Sequence, residues 1–378
     1  MAETIYSDID QGNIGNIINV LKSLNLDNPI IFKEFFKPPL DILAENDNKT
    51  PLTILDRAAY RGDIEILKLI REELYDKNPH VKSSAATSGA TPLHWAARQG
   101  QLQIVIYLAE CLIDKNPPND IGYTPMHWAA EKGNLLVIEY YLRILPNGKK
   151  NPMAISTNYL ISGRTVLHEA ARAGHLSVVE AISNHLIDIN PASAGYSFTP
   201  LHMAASKGHL NIVKFYVERL DNINPETNLE TGNFTPLHVA AMAGHLEVVK
   251  YLSQEVGTPD LPDLHGMTGM TTLHLAAMRD HLNVVKYLTE NLIDPEVRDF
   301  DGQTPLHMAA QSGHLDVVKY LSKKVNDPSI IDNHGDTPCE EAVVFGHSNV
   351  VSYLQQFESS CGLWTNSIWT NRTSPNSN

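Results

Sequence analysis

Short apolar segments alternate with turn-forming residues along this chain, and their spacing predicts pairs of helices. The segment from Thr235 to Leu252 shows the pattern most simply. It begins with Thr235-Pro236, a helix N-cap residue followed by a residue suited to the first helical position. Gly244 is expected to end that helix in a left-handed conformation. The second half is amphipathic, with an apolar side formed by Leu246, Val248, Val249 and Leu252. Each unit is therefore predicted to be a turn, a helix, a tight loop and a second helix.

The Thr-Pro-Leu-His run at the start of this segment, or a close variant of it, recurs nine times. It is intact at Thr91, Thr199, Thr235 and Thr304, and variants begin at Thr53, Thr124, Thr165, Thr271 and Thr337. Successive starts lie 33 to 41 residues apart, and a period in this range is typical of stacked helical repeats. Because each repeat contacts only its neighbours, such an array can reach 378 residues without one large core.

This unit closely resembles the ankyrin repeat, whose characteristic T-P-L-H-x-A-A run is present from Thr235 to Ala241. The match follows a template of about 33 residues, with Thr, Pro, Gly and apolar positions all in register. The resemblance implies an all-α fold, an ankyrin-repeat α-solenoid of about ten helix-turn-helix units with projecting β-turn fingers.

The repeat boundaries divide the chain into four predicted regions. These are a degenerate N-terminal capping ankyrin unit (1–26), an insertion with room for a helix (27–52), nine ankyrin repeats (53–357) and a polar tail expected to be disordered (358–378). A further insertion runs from Pro146 to Tyr159. The tail contains Trp364 and Trp369, which could either bind a partner or cover the apolar face of the last repeat.

The acidic composition narrows the range of partners. The net charge of −14 argues against nucleic acid, because phosphate binding needs a basic surface. The chain has no secretory signal and no run of about 18 apolar residues, so no integral membrane insertion is expected. Its three cysteines are too few and too scattered for a disulfide framework, and Cys339 is expected to be a small core residue in a reducing environment. These features predict a cytoplasmic protein, with the nucleus as an alternative.

Histidines are abundant, but their positions indicate structure rather than catalysis. Of the seventeen, seven lie in the motif and six follow the residue that ends the first helix, where an imidazole can satisfy backbone groups. His168-Glu169 resembles the start of a zinc-protease motif, but Arg172 occupies the place of the second His. No phosphate-binding loop or nucleophile motif is present. The chain is therefore predicted not to be an enzyme and to need no cofactor or metal.

The resemblance also implies where a partner would bind. Ankyrin proteins generally bind other proteins through a concave face, which the first helices line and the fingers border. Two positions in each unit should reach that face: the residues just before the motif Thr and the two residues after the Ala pair. The candidate partner-binding residues are Tyr123, Tyr196, Phe198, Phe234, Met242, Met270, Met278, Arg98 and Arg279. Aromatic and methionine side chains are favoured at binding surfaces. Alternatively, these side chains pack between adjacent fingers and stabilise the array.

Two classes of function fit this organisation. The first is a monomeric, non-catalytic protein–protein interaction scaffold or adaptor that binds a protein partner through the concave groove. The alternative is a regulatory or targeting ankyrin fragment of a larger enzyme or channel. The initiating Met and the polar tail favour the first.

One residue is predicted to be a weak point of the array. Asp280 stands where most repeats have the glycine that ends the first helix. A left-handed backbone costs a residue other than glycine roughly 1 kcal/mol, and somewhat less for Asp. We therefore expect Asp280→Gly to raise stability.

Overall fold

A computed structural model describes residues 54–74, 89–145, 163–228, 232–257, 269–291 and 293–357, together with scattered positions between 7 and 19. The chain divides into two compact units, Met1–Gly195 and Tyr196–Asn378. Between residues 54 and 354, the described residues form eighteen helices. These helices come in consecutive pairs joined by tight loops, which confirms the predicted fold class.

From residue 54 onward, the described part of the first unit forms four helix pairs. They are α1 (Ile54–Arg61) and α2 (Ile64–Leu74), α3 (Pro92–Arg98) and α4 (Leu102–Glu110), α5 (Pro125–Lys132) and α6 (Leu135–Ile144), and α7 (Val166–Ala173) and α8 (Leu176–Ser183). The first helices contact one another in the order α1, α3, α5 and α7, and the second helices α4, α6 and α8 do the same. Within this unit the pairs therefore stack on their neighbours.

The second unit contains five pairs. They are α9 (Pro200–Ser206) and α10 (Leu210–Val217), α11 (Pro236–Met242) and α12 (Leu246–Val256), α13 (Thr272–Met278) and α14 (Leu282–Asn291), α15 (Pro305–Gln311) and α16 (Leu315–Leu321), and α17 (Pro338–Val344) and α18 (Ser348–Leu354). First helices again contact first helices and second helices contact second helices. The same stacking rule therefore holds here.

The start of each first helix follows the sequence prediction, but the threonine has a different main partner. Pro236 opens α11 and Thr235 precedes it in an extended conformation. The Thr235 hydroxyl lies 2.9 Å from Nδ1 of the His238 ring and 3.4 Å from the His238 backbone nitrogen. The Thr235 backbone N–H also donates to Nδ1, at 3.3 Å. Because Nδ1 accepts that bond it carries no proton, so the hydroxyl donates to it as well. The histidine, rather than the helix backbone, is therefore the closer partner of the threonine.

The other ring nitrogen of the motif histidine joins one repeat to the next. Since Nδ1 is an acceptor, Nε2 carries the proton and donates to the carbonyl just before the next motif Thr. The distances are 3.0 Å from His94 to Tyr123, 2.9 Å from His202 to Phe234, and 3.0 Å from His274 to Gln303. Burial lowers the pKa of His274 from its usual 6.5 to about 4, so the ring is neutral near pH 7. These histidines are structural, as predicted.

A second histidine, in the tight loop, caps the first helix of the preceding repeat. Its Nε2 donates to a carbonyl at the helix end, where intrahelical partners are missing. The distances are 3.1 Å from His245 to Ser206, 3.0 Å from His281 to Met242, and 2.9 Å from His347 to Gln311. Gly244 has the predicted left-handed backbone (φ 77°). A Cβ on Gly244 would lie only 2.4 Å from Nδ1 of His281. Glycine is therefore favoured at Gly244, because it adopts this conformation without strain and leaves the His281 ring its space.

Burial explains the Ala pair of the first helix and the apolar side of the second helix. Ala240 and Ala241 of α11 are fully buried, as are Val248 and Val249 of α12 at 1% exposure or less. Small residues on the first helix let the next first helix approach closely. Among the described residues, no helix is long and apolar enough to cross a membrane.

The other structural expectations have mixed outcomes. Asp280 has the predicted left-handed backbone (φ 63°). Cys339 is a core residue, as predicted, but it is disulfide-bonded, which the expectation of a reducing environment did not anticipate. The capping unit is described only in part, and the insertions and the tail lie outside the described residues. Their assignments remain predictions.

Candidate functional site

The residues proposed to face a partner differ widely in exposure. Tyr123 and Arg98, both in the first unit, are buried at 8% exposure each. In the second unit Phe198, Phe234, Met242, Met270 and Met278 are half-buried, whereas Tyr196 and Arg279 are exposed. The two buried residues are held by neighbours in the same unit and offer little surface to a partner. For Tyr123 and Arg98, packing within the array therefore describes the side chain better than contact with a partner does.

Tyr123 is tied to a buried carboxylate in the next repeat. Its hydroxyl donates to Glu169 Oε1 at 2.8 Å. Arg172 Nε donates to Glu169 Oε2 at 2.7 Å, and an Arg164 terminal nitrogen lies 3.6 Å from Oε1. The Glu169 side chain is 1% exposed, while each arginine side chain is 31% exposed. One buried carboxylate thus orients two arginines and a tyrosine.

The electrostatics of this cluster fix its protonation state. Burial alone would raise the pKa of Glu169, but the Arg172 guanidinium, together with Tyr123 and Arg164, outweighs burial and lowers it. Burial raises the pKa of the Tyr123 hydroxyl, and the adjacent Glu169 charge raises it further. Near pH 7 the carboxylate is therefore charged and the phenol protonated. Neither group is poised to act as a base or a nucleophile.

Arg98 lies against two aromatic rings. Its guanidinium carbon lies 5.7 Å from the Trp95 ring centroid and 5.9 Å from that of Trp128. The two indoles contact each other edge to face at 5.0 Å. Cations stack favourably on indole faces. Trp95 is in the core, and Trp128 is half-buried.

The second unit has a polar contact at the same register as the Tyr123–Glu169 pair. Gln303 directly precedes its motif Thr, as Tyr123 does, and Glu341 matches Glu169 in the next repeat. Gln303 Nε2 donates to Glu341 Oε1 at 3.3 Å, and Gln311 Nε2 donates to Oε2 at 3.4 Å. The finger residue of one repeat therefore reaches the first helix of the next in both units. Sequence reasoning did not identify either acidic residue, because the partner comes from another repeat.

The half-buried aromatic candidates rest against their own repeats. The Phe198 ring lies 5.5 Å from the ring of His202, and the Phe234 ring lies 6.1 Å from that of His238. Phe234 also covers Gly232, where a Cβ would lie 3.1 Å from the ring. Each phenylalanine is thus positioned by its finger while part of its surface stays open.

Two exposed apolar residues of the last repeat were missed by sequence reasoning. Val344 and Phe345 are 51% and 53% exposed at the end of α17. Val344, seven residues after its motif Thr, occupies the register of Met242 and Met278 in α11 and α13, and Phe345 follows at the register of Arg279. The last motif lacks the usual Leu, His and second Ala, which obscured the register. The offset from Thr337 would have found both.

Three carboxylates meet beside α17. Oxygens of Asp332, Asp336 and Glu341 lie within 4.8 Å of one another. Asp332 Oδ1 accepts from the backbone N–H groups of His334 (2.8 Å) and Asp336 (3.0 Å). Burial opposes ionisation of Asp332, but these bonds outweigh it and lower its pKa. The carboxylates shape the turn of this finger and leave negative charge there.

Comparison with known proteins places the chain in a family. Its sequence matches the family model described as ankyrin repeats (3 copies) over residues 55–151, 140–228, 216–299 and 273–362. No curated protein matched the chain. The matched spans cover most of the described helix pairs and agree with the geometry of the Thr-Pro-Leu-His units. Ankyrin repeats are generally protein–protein interaction modules. The chain belongs to the ankyrin repeat family.

Proposed function

We propose that this chain is a non-catalytic protein–protein interaction scaffold or adaptor. Its partner binds along the ends of the first helices and the finger residues before each motif Thr. We further propose that it acts as a monomer in the cytoplasm or nucleus and does not bind nucleic acid. The net charge of −14 supports that last point, because phosphate groups require a basic surface.

The observation that carries the proposal is a set of partly open apolar side chains at the ends of three first helices of the second unit, α11, α13 and α17. Met242 and Met278 are half-buried, and Val344 and Phe345 are more than half exposed. Met242 and Met278 lie on helices that contact each other, α11 and α13, whereas α15, which carries Gln311 at this register, separates them from α17. Exposed apolar surface shared by neighbouring elements is typical of an interaction site, and methionine adapts to irregular partner surfaces.

The states of the titratable groups favour binding over catalysis. Motif histidines such as His94, His202 and His274 use both ring nitrogens in hydrogen bonds within the array. Glu169 is charged and shared between two arginines. A general base needs a lone pair that can reach a substrate. In these groups the lone pairs accept hydrogen bonds from other residues of the array.

The experiment begins with affinity capture on the full chain and identification of the partner by mass spectrometry. Phe198→Ala and Phe234→Ala should then each weaken binding by about 1–3 kcal/mol if both are central contacts. Helix content by circular dichroism should not change. Met242→Ala serves as a second variant, since its side chain has no described hydrogen bond.

The matched control lies on the second helix of the same repeat. Lys250 pairs with Glu247 at 2.8 Å on the exposed side of α12, and such surface pairs contribute little to stability. Lys250→Ala should leave partner affinity unchanged. If Lys250→Ala abolishes binding while the phenylalanine variants bind normally, the partner lies on the other face and the proposed surface is wrong.

A further inference from the structure

The last described repeat has apolar residues at two positions that are fully buried in the preceding repeats. Val343 on α17 and Val351 on α18 are half-buried, and we call the surface they form the outer face. The residues at these positions in the three preceding repeats are 0% exposed, namely Ala241, Ala277, Ala310, Val249, Val285 and Val318. A repeat at the end of an array needs a polar outer face to stay soluble. Here the outer face has two valines, whose burial would be favourable.

The cysteines indicate which segment can reach the outer face. The chain has three of them. Cys339, on α17, is disulfide-bonded, whereas Cys111 keeps a thiol that donates to the Tyr107 carbonyl at 3.1 Å. Within one chain, Cys361 is then the cysteine left to pair with Cys339. It follows Phe357 by four residues.

Such a bond would anchor the segment beside the outer face. Cys339 Sγ lies 4.0 Å from the carbonyl oxygen of Val351. Val343 follows Cys339 by four residues, which places both on one side of α17, about 6 Å apart along the helix. A disulfide holds the two Cα atoms about 4.4–6.8 Å apart. Trp364 follows Cys361 by three residues, a stretch that spans at most about 11 Å. The Trp364 ring is therefore within reach of both valines.

We infer that residues 358–378 cover the outer face and are held there by a disulfide between Cys339 and Cys361. The Trp364 ring packs on the two valines, because an indole buries a large apolar area. Cys339 is 0% exposed, which protects its sulfur from attack by thiols. This contact lies within the chain, so the inference goes beyond the proposed function and does not depend on a partner.

The redox chemistry of the bond is simple thiol–disulfide exchange. The Cys339 and Cys361 thiols lose two electrons and two protons, and a small-molecule disulfide accepts them and becomes two thiols. Oxidised glutathione supplies this oxidant in the test. A dithiol reductant reverses the reaction and leaves two thiols on the chain.

Peptide mapping of the full chain tests the disulfide. After incubation with oxidised glutathione, the protein is alkylated without reduction, digested and analysed by mass spectrometry. The peptides of Cys339 and Cys361 should be joined, and the peptide of Cys111 should not be joined to either. An alkylated Cys361, a bond from Cys339 to Cys111, or a disulfide-linked dimer on a non-reducing gel would overturn the inference.

Amide exchange of the oxidised full chain tests the cover. Cys361→Ser and Trp364→Ala should each speed exchange in α17 and α18 by about tenfold or more, because the outer face then opens to water. Exchange in α11 and α12 should not change. Cys111→Ser is the matched control, because it removes a thiol outside the proposed bond. Unchanged exchange in Trp364→Ala, or equally fast exchange in Cys111→Ser, would overturn the inference while leaving the proposed function standing.

Discussion

The contribution of the loop histidines to stability can be isolated by comparing two glycines. Gly244 and Gly346 occupy the same loop position, with φ of 77° and 78°. A Cβ on Gly244 would lie 2.4 Å from Nδ1 of His281, whereas a Cβ on Gly346 would meet nothing within 4 Å. Alanine at either site suffers the same backbone strain. Only at Gly244 must the added Cβ also shift a histidine ring of the next repeat.

The expected loss of stability in each variant follows from these contacts. Left-handed backbone costs alanine about 1–2 kcal/mol, and the lower entropy of the unfolded chain returns about 0.4–1 kcal/mol. Gly346→Ala should therefore lower stability by about 1 kcal/mol. Gly244→Ala should also shift the His281 ring and weaken its 3.0 Å bond to the Met242 carbonyl; the bond need not be lost, since His314 keeps the equivalent 3.0 Å bond to the Met278 carbonyl beside Asp280. The added cost is at most the roughly 0.5–1.5 kcal/mol that the bond contributes, so Gly244→Ala should cost more than Gly346→Ala and at most about 2 kcal/mol.

Urea unfolding, monitored by circular dichroism, gives the loss of unfolding free energy in each of the two variants. Because repeat arrays can depart from two-state unfolding, amide exchange across α11 and α12 should be measured alongside it. The Gly244 variant should show faster exchange in these two helices than the Gly346 variant does. Equal losses in the two variants would mean that the His281 ring shifts at no cost in stability, and would refute the reasoning.

Three further predictions concern stability. The folded pKa of His274, about 4, lies below its usual 6.5, so its contribution is complete above pH 6.5. As the pH falls toward 4, up to about 3 kcal/mol of unfolding free energy is lost. If the urea midpoint falls as much with pH in His274→Gln as in the unaltered chain, this explanation is wrong. Glu169→Gln should lower stability by about 3 kcal/mol, because two arginines lose their buried partner. Tyr123→Phe should lower it by only about 1 kcal/mol. Equal urea midpoints in these two variants would contradict this account of the cluster. Asp280→Gly should raise the midpoint modestly, since relief of strain exceeds the loss of a 3.9 Å contact with His314; a lower midpoint with an unchanged m-value would show that the register is wrong.

Much of the fold could be predicted because each unit repeats the same local backbone requirements. Pro236 at the helix start and Gly244 after its end are dictated by backbone geometry, and nine copies of the motif reinforce one interpretation. The hydrogen-bond partner of the threonine hydroxyl was harder to predict from the sequence. Which atom its hydroxyl contacts depends on the rotamer of a histidine three residues later.

Exposure at the candidate site was harder to predict, because it depends on another repeat. Tyr123 and Phe198 share one register, yet Tyr123 is buried and Phe198 only half-buried. The hydroxyl of Tyr123 bonds to Glu169, a residue 46 positions away. Val344 and Phe345 were missed for the opposite reason. The last motif departs from the pattern, and no following repeat is described that would cover them.

Site-specific photo-crosslinking tests the central claim most directly. A photoreactive amino acid placed at Met242, at the end of α11, should crosslink to the captured partner. The same amino acid at Glu247, on the exposed side of α12 in the same repeat, should not. Crosslinking at Glu247 with none at Met242 would contradict the claim that the partner binds along the first helices.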